Sequence, residues 1–142
     1  MNVAWPVQNI GPGGATGPWE DAIYLSPGSG WSPDDILLGD QAHASFVSSG
    51  GSYSANKDVT LPAVLPGNYF FIVRANSHND VFEGQTLANN PAPSAATIAM
   101  DLPSLVLGAP FTTTLVTTGD AKFFKVTLPE GKELSVVLDG PP

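Results

Sequence analysis

The stretch YFFIVRA, residues 69–75, decides the fold class of this chain. It combines aromatic and β-branched residues, and its apolar side chains fall on both faces of an extended backbone. A strand of this kind is typical of the middle of a sheet, where both faces are buried. The turn formers Pro66-Gly67-Asn68 precede it directly, so we expect the strand to follow a turn.

Other stretches of the chain have the two-residue period of a strand, whereas no convincing helical period occurs. These candidates are residues 3–7, 22–25, 58–61, 97–100, 104–107, 123–128 and 134–138. The 15 Gly and 14 Pro leave room for few helices, and a single helical turn is expected at 32–35, with Ser32 as its N-cap. Short strands separated by frequent turns predict an all-β protein, an antiparallel β-sandwich.

Composition excludes several classes of protein. The chain has 142 residues and a net charge of −8, which argues against a nucleic-acid partner because phosphate-binding surfaces are basic. It has no Cys, so disulfides and thiolate sites are excluded. Its longest apolar run, residues 69–73, is far shorter than a membrane span, and its first residues do not form a signal peptide. A weak shift in composition places a boundary near 89–94 or just after 101–103.

The first part of the chain resembles a known family, the bacterial cell-adhesion-related domain called CARDB. The matching pieces, in the family's order, are VQNIG (7–11), WEDAIYLS (19–26), WSPDDILLG (31–39), GSYS (51–54), VTLP (59–62), PGNYFFIV (66–73), VFE (81–83) and NN (89–90). The resemblance implies an immunoglobulin-like sandwich over residues 1–101 that belongs to an extracellular or cell-surface protein. It also implies a strand before Val3, and because the sequence begins at that position we expect this strand to be missing.

The remainder, residues 104–142, resembles the opening of a bacterial pre-peptidase C-terminal domain. The resemblance is carried by GDAKFFKVTLPEGKELSVVL (119–138). It implies the start of a small jelly-roll-like domain of the kind that accompanies secreted enzymes, or else extra C-terminal strands for the first module. Because the family's first strand is missing, we expect an open sheet edge at Val3, Trp5 and Val7, where a strand of this or another chain adds by β-augmentation.

Acidic loops provide candidate metal ligands, since hard oxygen donors suit Ca²⁺. The candidates are Asp34, Asp35, Asp40, Asp80 and Glu83. None of them belongs to an Asp-x-Asp-x-Asp-Gly pattern, so an N-cap at 34–35 and solvated turns elsewhere explain them equally well. No other cofactor is indicated.

Aromatic residues provide a second kind of candidate site. Trp19 and Trp31 flank turns and are candidates for stacking on a carbohydrate, the alternative being that they pack in the sandwich. Trp5 alternates in phase with Val3 and Val7, which favours the core.

Catalytic patterns are absent from the sequence. His43 and His78 lie far apart, and no Gly-x-Ser-x-Gly elbow occurs. We therefore expect a non-catalytic extracellular structural or adhesion module of a larger prokaryotic protein. Two alternatives stay open: a Ca²⁺-assisted carbohydrate-binding module, and an accessory domain of a secreted protease or hydrolase.

Overall fold

A computed structural model describes residues 1–83, 87–119 and 121–138 of the chain. The chain divides into two compact units, which are described separately below. The first unit comprises residues 1–62 and 66–100, and the second comprises 63–65 and 101–142. Within the described ranges no helix is long and apolar enough to cross a membrane, and the helical structure is limited to a 3-10 turn at Leu87–Asn89.

The first unit consists of two antiparallel sheets, which confirms the predicted all-β sandwich. Its strands are β1 (Asn2–Gln8), β2 (Trp19–Ser26), β3 (Ile36–His43), β4 (Ser52–Asp58), β5 (Gly67–Arg74), β6 (Pro91–Pro93) and β7 (Ile98–Met100). One sheet pairs β1 with β4, and the other has the order β3-β2-β5-β6, with β7 also paired to β5. All pairings between these strands are antiparallel.

Strand β5 lies in the middle of the larger sheet, as the sequence predicts. It pairs with β2 on one side and with both β6 and β7 on the other. β6 lies opposite 72–74 and β7 opposite 67–69, so the two short strands act as one edge strand interrupted at 94–97. Ile72 at the centre of β5 is completely buried.

The core lies between the two sheets. Trp5 of β1 and Ile23 of β2 are buried against Val59, which follows β4, and Val3 and Val7 pack against them. The alternating burial of β1 directs its odd-numbered side chains inward and its even-numbered side chains to solvent. This is the arrangement expected of a strand with one face on a core, and it confirms the predicted core position of Trp5.

Two local predictions differ from the structure. The strand predicted at 58–61 lies earlier, at β4, although Val59 remains a core residue. The helical turn expected at 32–35 is a turn without a helix. The Ser32 hydroxyl accepts a hydrogen bond from the Asp34 N–H, and the Asp35 carboxylate accepts one from the Ser32 N–H. The capping interactions therefore form, but the chain continues directly into β3.

In the second unit, the strands predicted at 104–107, 123–128 and 134–138 are absent from the described residues, where the pairing is a single bridge between Ser104 and Lys125. The exposed Lys125 ammonium forms an ion pair with Asp101 at 2.8 Å, and this contact lowers the pKa of the Asp101 carboxyl. Because the pair is solvated, we assign it little effect on stability.

Candidate functional site

A buried carboxylate connects the two sheets of the first unit. Asp21 of β2 is 0% exposed. Its Oδ2 accepts hydrogen bonds from Trp5 Nε1 at 3.0 Å and from Tyr53 Oη at 2.7 Å. Its Oδ1 accepts a bond from the backbone N–H of Asn76 at 3.2 Å. Trp5 and Tyr53 belong to the two-stranded sheet, whereas Asp21 belongs to the larger one, so the carboxylate joins the sheets.

Tyr53 extends this network on β4. Its hydroxyl accepts a hydrogen bond from Trp19 Nε1 at 3.2 Å while it donates to Asp21. Burial raises the pKa of the Tyr53 phenol well above its usual range, and the hydrogen bond to Asp21 raises it further. Because the phenol keeps its proton, it remains a hydrogen-bond donor to the carboxylate.

Aromatic rings cover this network. The His43 ring stacks on Tyr53 with ring centroids 3.9 Å apart and lies 4.4 Å from the Trp19 ring. Trp19 is only 5% exposed. A ring enclosed in this way has little face left for a sugar, which argues against the carbohydrate-stacking role expected for Trp19 and favours the alternative, packing in the sandwich.

Trp31 lies elsewhere, before β3. The Arg74 guanidinium lies over its ring, 4.5 Å from the centroid. The Tyr24 ring packs against it in an edge-to-face arrangement, with the two ring centroids 6.1 Å apart. This cation–π contact occupies one ring face, so Trp31 and Trp19 do not form a shared platform.

The loop after β5 is held by amide and carboxylate groups. Asn76, which has a positive φ of 47°, donates from its side chain to the Val81 carbonyl and to Glu83, and its side-chain oxygen accepts from the Val81 N–H. Asn90 also donates to Glu83, at 3.2 Å. These groups border a cleft of about 570 Å³ whose other wall is the loop at 9–15. Their hydrogen bonds hold residues 76–83 of this loop in place and connect Glu83 to Asn90.

The acidic candidates do not come together as a metal site. Asp34 and Asp35 lie in the turn before β3, Asp40 lies within β3, and Asp80 and Glu83 lie in the loop after β5. In the described parts of the chain no three Asp, Glu, His or Cys residues are placed to hold a metal ion. Hydrogen bonding accounts for Asp35 and Glu83, which agrees with the alternative explanation of these residues as turn and loop formers.

The free edge of β1 is open, but the groups it offers differ from those expected. Met1 and Val59 exchange two backbone hydrogen bonds, and Asn9 bonds to Gly51 at the other end of the pairing. In an antiparallel pair, bonded residues alternate, so the backbone groups of Val3, Trp5 and Val7 face β4. The backbone groups without a partner among the described residues belong to the even-numbered residues of β1, and Val3, Trp5 and Val7 contribute only side chains beneath this edge.

Both β1 and β6, which form the neighbouring edges of the two sheets, carry proline residues at outward positions. Pro6 occupies one of the outward positions of β1. On β6, Ala75 bonds to Asn90 and Ser94 to Phe71, so the alternation turns both Pro91 and Pro93 outward. Proline is found at such edge positions because it has no N–H to donate. Between β1 and β6 lies a groove of about 590 Å³.

The Asp21 network was missed by the sequence analysis, although β2 carries a signal for it. Asp21 lies in phase with Trp19, Ile23 and Leu25, and all four side chains are buried. A carboxylate on the apolar face of a strand needs hydrogen-bond donors from elsewhere in the fold. That signal predicts a buried network without naming Trp5, Tyr53 and Asn76 as the donors.

Comparison with known proteins adds no assignment: no family model, curated protein or solved structure matches this chain.

Proposed function

We propose that this chain is a non-catalytic structural or adhesion module of a larger extracellular prokaryotic protein, built on an immunoglobulin-like sandwich of the CARDB kind. Its partners are proteins, including further copies of itself that pair at a free sheet edge. The observation that carries the proposal is the hydrogen-bonded connection between the sheets at Asp21. Such a connection resists sliding of one sheet over the other, and a spacer domain under tension needs this resistance.

The strand arrangement is consistent with this proposal. β2 pairs with β5 in the larger sheet while β1 pairs with β4 in the smaller one, and crossed pairing of this kind is typical of immunoglobulin-like sandwiches.

The chemistry of the buried groups also supports a mechanical role. The Asp21 carboxylate accepts three bonds from protein donors, and the Tyr53 phenol keeps its proton because burial raises its pKa.

Force spectroscopy tests the mechanical part of the proposal. The full chain is placed between reference domains and extended, and Asp21→Asn is compared with Asp40→Asn, the same change at a half-buried position of β3. We expect Asp21→Asn to lower the unfolding force of the first unit and Asp40→Asn to leave it unchanged. Equal forces for the two variants and the native chain would contradict the role of the network.

Cell labelling tests the location. Antibodies raised against the full chain should label intact cells of the source organism and lose the signal after mild surface proteolysis. Labelling that appears only after the cells are opened would refute an extracellular module.

A further inference from the structure

The groove between β1 and β6 has an apolar floor and carries no charge. Val3 and Val7 of β1 and Phe71 and Val73 of β5 contribute to its lining, and none of the lining residues is charged, although the chain has a net charge of −8. A groove of this composition favours an uncharged, apolar occupant, because burying an unpaired charge is costly.

The two walls of the groove differ in what they offer to an added strand. On the β1 wall, Asn2 and Ala4 each present a free N–H and a free carbonyl, and Pro6 presents a carbonyl alone. On the β6 wall, the outward positions are Pro91 and Pro93, which have no N–H. A strand that enters the groove can therefore both donate to and accept from β1, whereas Pro91 and Pro93 of β6 offer it carbonyl acceptors alone.

We propose that the segment Leu134–Leu138 of a second copy of this chain adds as a strand to the free edge of β1 and places Leu134, Val136 and Leu138 in the groove. This inference rests on the proposed function and specifies the partner and the contact through which the module assembles. Repetition of the contact from copy to copy is head-to-tail, so the expected product is a chain of modules, either open or closed into a ring.

The segment suits the groove in its lack of charge, in the spacing of its apolar side chains and in its exposure. Leu134–Leu138 carries no charge, and Leu134, Val136 and Leu138 recur with the two-residue period of a strand, while Ser135 and Val137 fall on the opposite face. These side chains are exposed, Leu138 to 91%. Among the described residues, the segment forms no backbone hydrogen bond with another part of the chain.

Of the strands predicted in the second unit, 104–107 is also uncharged, but it is already engaged. The Leu105 N–H donates to the Lys125 carbonyl, and Ser104 forms a bridge with Lys125. Because its backbone forms no such hydrogen bonds among the described residues, 134–138 is the favoured donor strand.

Sedimentation velocity of the full chain over a range of concentrations tests the proposal. We expect concentration-dependent assembly of the native chain. Ala4→Pro removes one N–H from the β1 edge and should raise the concentration at half-assembly about tenfold or more. Ala4→Ser keeps the N–H and should assemble like the native chain. On the donor side, Val136→Asp should prevent assembly, whereas Val137→Asp, on the opposite face of the strand, should permit it.

Mixing the variants tests reciprocity. The Ala4→Pro chain keeps an intact donor segment, and the Val136→Asp chain keeps an intact groove, so an equimolar mixture should form heterodimers and no longer species. A native chain that is monomeric at every concentration overturns the proposal, and so does assembly that neither Ala4→Pro nor Val136→Asp weakens. A monomeric chain that still labels cells and still depends on Asp21 under force would leave the extracellular and mechanical parts of the proposed function intact, and would reject this contact together with self-association at the sheet edge.

Discussion

Replacing Tyr53 by Phe removes one oxygen atom from the connection between the sheets and leaves the ring in place. The variant loses the donor at 2.7 Å from Asp21 and the acceptor at 3.2 Å from Trp19. A hydrogen bond to a charged group contributes about 1.5–3 kcal/mol, and an indole N–H left without its acceptor adds to the loss. We expect Tyr53→Phe to lower the free energy of unfolding by about 2–4 kcal/mol.

Urea unfolding followed by tryptophan fluorescence measures this loss in the first unit, since all three Trp residues lie there. With a slope of about 2 kcal/mol per molar urea, the midpoint should fall by about 1–2 M. Tyr24→Phe is the matched control. The Tyr24 ring contacts Trp31 by its edge, and its hydroxyl has no hydrogen-bond partner among the described residues, so its midpoint should barely move. Equal shifts in the two variants would refute the structural role assigned to the Tyr53 hydroxyl.

Three further predictions follow from the same structure. Burial raises the pKa of Tyr53 in the folded state, so its contribution to the free energy of unfolding should be complete below about pH 10, where the unfolded phenol titrates, and should decrease at higher pH. Urea midpoints measured between pH 8 and 11 should therefore decrease with pH in the native chain, and decrease less in Tyr53→Phe. Gly39 has a φ of +150°, which residues with a Cβ rarely adopt, so Gly39→Ala should cost about 1–2 kcal/mol in urea unfolding, whereas Gly28→Ala, which meets no atom within 4 Å, should be nearly neutral. The melting temperature should be the same in EDTA and in millimolar Ca²⁺. A rise with Ca²⁺ would indicate binding and would support the alternative of a Ca²⁺-assisted carbohydrate-binding module.

Local patterns predicted those parts of the fold that depend on neighbouring residues. The run 69–75 identified β5 because a strand buried on both faces is apolar on both faces. The phase of Trp5 with Val3 and Val7 identified a core position in the same way. The capping interactions at 32–35 were also predictable, but the helix was not formed, because the chain enters β3 at Ile36.

Long-range placement could not be predicted from these patterns. Trp5, Asp21, Tyr53 and Asn76 are far apart in sequence and meet only after both sheets have formed. Even so, the position of Asp21 on a buried face signals that such partners exist. The edge of β1 illustrates a different limit: alternation identifies which side chains point inward, but the pairing with β4 decides which backbone groups stay free. That is why the open edge belongs to Asn2, Ala4 and Pro6 rather than to Val3, Trp5 and Val7.

The connection at Asp21 has a consequence for where this module can work. Many extracellular sandwiches join their sheets with a covalent sulfur bridge, which requires an oxidising compartment and enzymes that catalyse its formation. Here the sheets are joined by an apolar core and by hydrogen bonds to Asp21, and the chain has no Cys, so the folded state should be reached without that machinery and should withstand reductants such as dithiothreitol. Its stability responds instead to alkali, through the phenol of Tyr53.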